Sequence, residues 1–238
     1  MIIAAAVCPS PPLLIPELTG AQQVARELRS ACLASVAELT EASPEVIAVV
    51  GAAERTRTWN GAAALDLGSY APGMRSGSGQ LFDPGGQASL PSALGVGAWL
   101  LDRAGCAAGR VLHSVAHDEP PARCAEIGAK LAASRGRVAL LVMADGSARR
   151  GLKAPGYLDG RSNGFDAATE RAVRSGELAM LLSADPALGY ELMATGRPAW
   201  QVLAGALAGR KVSSEVRYRD DPFGVEYLVA SLRVRPEP

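Results

Sequence analysis

The chain has 238 residues, with 24 basic and 24 acidic side chains, and 48% of its residues are hydrophobic against 20% charged. Balanced charge excludes bulk electrostatic attraction to nucleic acid, because no basic excess is there to displace counterions from phosphates. The longest apolar runs, such as Val138–Ala144, fall far short of the ~20 residues a membrane-spanning helix needs, so neither nucleic acid nor a membrane is expected as a partner.

A length of this order predicts one domain over residues 1–238, large enough to fold without a disulfide or metal staple. Met1–Cys8 is apolar, has no charged leader region and meets Pro9 at once, so it reads as a first strand and not as a signal peptide. Ile2–Val7, Val46–Val50, Val111–Val115 and Val138–Ala144 are continuous apolar runs that suit strands covered on both faces. Between them, Thr19–Ala42 carries Val24, Leu28, Cys32, Val36 and Leu39 at near-helical spacing. Pro121–Ser134 and Phe165–Ser175 are also helical in pattern, the first opening on a proline. This alternation predicts an α/β fold.

Gly51–Pro91, rich in Gly, Ser and Pro, predicts a long loop with room for a short hairpin, and loops of that size commonly serve as lids or rims. Helices are predicted around Pro186–Ala194 and Pro198–Ala208. The strand-like runs Val212–Arg219 and Val225–Arg235, with turn formers at 220–224 between them, predict an antiparallel pair. The expected architecture is a three-layer α/β/α domain with a mostly parallel sheet and a C-terminal antiparallel pair.

Several common chemistries are missing. There is no G-x-G-x-x-G after a strand, no G-x-x-x-x-G-K-[ST], no G-x-S-x-G around Ser147 and no S-x-x-K. Cys8, Cys32, Cys106 and Cys124 are scattered without a C-x-x-C pair, which predicts reduced thiols in a cytoplasmic protein. His113 and His117 are the only histidines. Zinc shared between them, with Asp118, Glu119 or Cys124, needs a helix. On a strand, four residues separate the rings by roughly 13 Å. Val111–Val115 is extended in character, so no shared metal is expected and His117 reads as a surface or strand-end residue.

The strand ends taken together resemble those of class III extradiol ring-cleavage dioxygenase catalytic subunits (LigB-like) and the related Memo proteins. Ala5-Ala6-Val7-Cys8-Pro9-Ser10-Pro11-Pro12 is similar to their first strand and its P-H-x-P loop. Val138–Arg149 resembles their strand followed by S-D-L-x-H or G-D-L-S-H, and Gly164-Phe165-Asp166 their F-D helix start. Thr195-Gly196-Arg197 with Val202–Ala206 resembles C-G-R and L-x-G-A, and Val225–Leu232 the closing G-Y-x-V-A-S-F strand. The resemblance spans nearly the whole chain.

The resemblance implies ferrous iron held by two histidines and a carboxylate, yet those positions are altered here. The first histidine would fall at Ser10, the second within Gly51–Glu54 and best at Glu54, and the acid/base histidine at Ala148. The Memo cysteine would fall at Thr195. His113-Ser114 resembles the segment whose histidine lines the family's substrate pocket, which makes His113 the one candidate catalytic residue. The plainer reading is a strand-end histidine satisfied by hydrogen bonds.

Strand carboxyl ends form the ligand crevice of α/β sheets. That rule gathers Ser10, Glu54, His113, Asp145, Ser147, Ala148 and Arg149 there, with Thr195 joined by resemblance. Arg149 and Arg150 offer guanidinium forks to a carboxylate or phosphate, though either would also serve as a solvated loop arginine.

The reading that follows is a metal-free member of the class that retains a small-molecule pocket, with no cofactor expected. Two alternatives stay open: an active Fe(II) dioxygenase opening a catecholic ring, and a non-enzymatic interaction scaffold. A small-molecule ligand is the expected partner, and a homodimer is admitted on general grounds.

Overall fold

The computed structural model describes residues 1–19, 25–59 and 90–235. The strands among the described residues join one seven-stranded mixed sheet. They are β1 (Ile2–Cys8), β2 (Val46–Ala53), β3 (Arg57–Trp59), β4 (Gly109–Ala116), β5 (Val138–Met143), β6 (Val212–Asp220) and β7 (Tyr227–Val234), in the order β3-β4-β2-β5-β1-β7-β6. The centre β4-β2-β5-β1 is parallel, and β7 joins β1 antiparallel and carries β6 antiparallel beyond it. At the other edge β3 lies antiparallel on β4.

The central strands are apolar on both sides because alternate side chains enter different cores. Val7, Val50, Leu140 and Val142 belong to one core, with side chains of α4 (Pro121–Ala132), α5 (Arg161–Ser175) and α7 (Arg197–Ala206). Cys8, Val49, Leu141 and Met143 belong to the other, with α2 (Arg26–Glu41) and α3 (Ser92–Arg103). Each fully buried Val or Leu contributes about 1.5–3 kcal/mol relative to exposure.

Three differences from the sequence expectation have physical causes. Of the helix expected over Thr19–Ala42, Thr19 ends a short turn, α1 (Pro16–Thr19), residues 20–24 lie outside the described residues, and the rest is α2, with Ala25 just before it at a left-handed φ of 53°. Helix α3 carries no polar stripe, since every residue from Ala93 to Leu101 is buried, so its pattern gives no amphipathic signal. Its Gly97 lets the backbone approach the sheet: a Cβ there would sit 2.7 Å from Val49 Cγ1 and 3.0 Å from Met143 Cγ. The loop expected over Gly51–Pro91 begins with the end of β2 and the short β3, and residues 60–89 lie outside the described residues. A short helix α6 (Pro186–Glu191), capped by Asp185 accepting from the backbone N–H groups of Ala187 and Leu188, precedes α7.

Candidate functional site

Strand register decides which residues meet beyond the sheet. Cys8 of β1 pairs with Met143 of β5, and two residues past that rung stand Ser10 and Asp145. Ser10 donates its backbone N–H to one carboxylate oxygen of Asp145 at 2.9 Å and its hydroxyl to the other at 2.8 Å. Ala53 of β2 pairs with Ala116 of β4, and the next residues are Glu54 and His117, with His117 N–H donating to the Ala53 carbonyl at 3.0 Å. The two rungs place these four residues on one hollow of about 560 Å³, which Thr195, Trp59 and Arg57 also line.

Helix α7 closes this hollow through a contact that requires glycine. Gly196 N–H donates to the Asp145 carbonyl at 2.9 Å, and a Cβ on Gly196 would lie 2.5 Å from that oxygen and 2.7 Å from Ala144 Cβ. On the β3 side, Trp59 Nε1 donates to Ser114 Oγ at 2.8 Å, and Ser114 Oγ donates to the Arg55 carbonyl at 2.7 Å. The Arg57 guanidinium stacks over the Trp59 ring, 3.4 Å from its centroid.

Burial raises the Asp145 carboxyl above the ordinary carboxylate range, against the opposing effect of the two Ser10 donors. Burial also lowers His117, helped by the Arg197 charge and opposed by Asp118 and Glu54, so its ring is neutral near pH 7. Glu54 stands exposed on the rim, where water solvates it and no buried partner is required.

Other expected site residues lie elsewhere. Strand β4 continues to Ala116, so His113 sits within the strand and His117 occupies its end. Alternation puts His113 on the same face as Val115, the side of the core containing α4 and α7. There its Nδ1 is 3.1 Å from Thr58 Oγ1, and its ring is absent from the hollow's lining. Ser147 is fully buried: its backbone N–H and its hydroxyl donate to the two oxygens of Asp166, at 2.9 Å and 2.5 Å. Ala148 is buried beside it, its N–H donating to the Leu192 carbonyl. Ser147 is drawn inward because α5 supplies Asp166 beneath the loop. Arg150 is consumed by Asp221 at 2.7 Å, Glu226 at 3.4 Å and Asp166 at 3.7 Å.

Arg149 lines a second hollow, of about 750 Å³, that shares His117 and Thr195 with the first. His117, Arg197 and Trp59 are thus site residues that the sequence reading did not nominate. The signal for His117 is its place just past the end of β4, where the strand-end rule applies to it as it does to Ser10 and Glu54, and Arg197 follows Thr195 and Gly196 directly at the start of α7.

The ferrous site implied by the resemblance does not fit the residues present. Both Asp145 oxygens accept from Ser10, Ser10 and Ala148 supply no nitrogen, and the crevice holds one histidine. Among the described residues no three His, Cys, Asp or Glu side chains are grouped to hold a metal ion.

No family model and no curated protein matches the sequence. Among solved structures, the chain is similar to uncharacterized protein JW3007 from Escherichia coli K12, with a TM-score of 0.56 at 17% identity over 97% of this chain and 99% of that one. This likeness shows a shared α/β fold.

Proposed function

We propose that the protein is a three-layer α/β/α member of the class that includes extradiol dioxygenase subunits and Memo proteins, and that it binds a small molecule in the Asp145 hollow without opening an aromatic ring. The observation that carries this reading is the convergence of Ser10, Glu54, His117 and Asp145 from four strand ends on one hollow, the place where α/β sheets bind ligands. The two separate cores on alternate strand residues support the layered arrangement. The order of the quoted motifs supports the class, and the unpaired cysteines support a reducing compartment such as the cytoplasm.

Chemically, the hollow offers a carboxyl group fixed by two donors, a neutral imidazole, the Thr195 hydroxyl and the Trp59 ring. Such a lining holds a flat, hydroxylated molecule by stacking and hydrogen bonds. It lacks the nitrogen ligands for ferrous iron and the residue that would transfer a proton at Ala148. Anaerobic ferrous reconstitution, followed by catechol and dioxygen, tests this. The reading expects no retained iron and no ring-opened product, whereas stoichiometric iron with catechol cleavage would establish the dioxygenase instead.

A further inference from the structure

Two arginines stand on the wall of the Asp145 hollow with their donors unspent. Arg55 and Arg57 both line it and both are exposed. Among the described residues neither guanidinium forms an ion pair or donates a hydrogen bond. Arg57 is held by a ring instead, its guanidinium 3.4 Å from the Trp59 centroid. Stacking uses the face of the guanidinium plane and leaves the N–H fork at its edge free.

The segment that carries the two arginines is fastened to β4. Ala116 N–H donates to Thr56 Oγ1 at 2.9 Å, and Thr56 Oγ1 donates to the Glu119 carboxylate. Ser114, 1% exposed, accepts from Trp59 Nε1 and donates to the Arg55 carbonyl. Residues 55, 56 and 59 are thus tied down while the forks of Arg55 and Arg57 stay open to solvent, where a ligand reaches them without displacing a protein acceptor. The acids of the lining do not neutralise them. Both Asp145 oxygens accept from Ser10, burial favours the neutral form of that carboxyl, and Glu54 is solvated on the rim.

We propose that the ligand of the Asp145 hollow is a phosphate monoester of a small hydroxylated compound, its hydroxyl meeting Asp145 and its phosphate taking the N–H forks of Arg55 and Arg57. Two fixed positive charges match a group that carries about −1.5 to −2 at neutral pH, and guanidinium forks fit phosphate oxygens two at a time. A sulfate or carboxylate, with a single charge, leaves one of the arginines without its counter-charge. The inference rests on the Asp145 reading and adds the charge of its ligand.

Isothermal titration of the full chain with catechol, catechol monosulfate and catechol monophosphate tests it, because the three share one ring and differ in charge. The monophosphate is expected to saturate one site, about tenfold or more tighter than catechol and about fivefold or more tighter than the monosulfate. Arg55→Gln and Arg57→Gln, at exposed positions, should each weaken the monophosphate about tenfold and leave catechol unchanged. Arg123→Gln, an exposed arginine of α4 paired with Glu126, should change neither. The wild-type series decides the matter if a variant fails to fold. A monophosphate that binds no tighter than catechol or the monosulfate, or that is unaffected by both folded arginine variants, would overturn the inference. If catechol binding is then still lost in Asp145→Ala, the reading of the hollow itself stands. Monophosphate binding untouched by Asp145→Ala would overturn both.

Discussion

Ser10 grips Asp145 twice, once through its backbone N–H at 2.9 Å and once through its hydroxyl at 2.8 Å. The grip follows from β1 and β5 being parallel neighbours in register, so that their loops leave the sheet side by side. At the position where the resembling family places a histidine, this chain has a short hydroxyl that satisfies a neighbouring carboxylate. Ser10→Ala removes one of the two bonds and leaves the backbone donor. The expected cost is about 1 kcal/mol, read as a lower midpoint in urea unfolding with an unchanged slope. Ser10→His is expected to give no ring cleavage, because Ala148 still has no proton to transfer.

The raised Asp145 carboxyl makes stability depend on pH. A carboxyl whose folded pKa exceeds its unfolded value binds its proton more tightly when folded, so its contribution is fully present below the unfolded value, about 4, and is lost as pH rises through the folded value. Asp145→Asn abolishes that titration. The unfolding free energy of the wild type minus that of the variant should therefore fall across this window and be flat below it. Urea unfolding of both proteins over a pH series reads this directly, and a difference that rises with pH would refute the assignment.

Two glycines should respond oppositely to alanine. Gly205 of α7 crosses α4 so closely that a Cβ would overlap the Ala125 backbone, and Gly205→Ala should cost at least about 1–3 kcal/mol through overpacking. Gly164 is exposed on α5 with open space where its Cβ would be. There alanine should stabilise the protein by up to about 1 kcal/mol through helix propensity. Thermal melting of the two variants measures both signs.

All four cysteines are buried and unpaired, and burial raises the Cys32 thiol and pushes the Cys124 thiol up to about 11. The thiolate is the reactive form, so alkylation of the native protein should be slow. After denaturation without reductant, mass analysis should find all four thiols labelled. A missing label would reveal an oxidised pair.

The parallel centre and the C-terminal pair were legible because their signals are local. Val138–Met143 is apolar throughout and buried throughout, and the turn formers at 220–224 separate β6 from β7. Helix α3 was not legible, since a helix buried on every side loses the polar stripe that marks it. In the site, Ser10, Glu54 and Asp145 could be placed because each closely follows an apolar run. His113 was misplaced because the resemblance of His113-Ser114 put it at a strand end, although it lies inside the run Val111–Val115; β4 runs on to Ala116, so His117 is the histidine that reaches the rim. The roles of Ser147 and Arg150 depend on Asp166, Asp221 and Glu226, carboxylates brought in from later in the chain, which no local pattern reveals.

The central claim is that the strand-end hollow binds a small molecule, and soaking crystals with a library of small aromatic and hydroxylated fragments tests it most directly. The account predicts that fragments gather between Asp145, His117 and Thr195, with hydroxyl groups on Asp145 and rings against Trp59, and that Asp145→Ala crystals lose them. Fragments that settle elsewhere while this hollow stays unoccupied, or that bind Asp145→Ala crystals equally well, would contradict it.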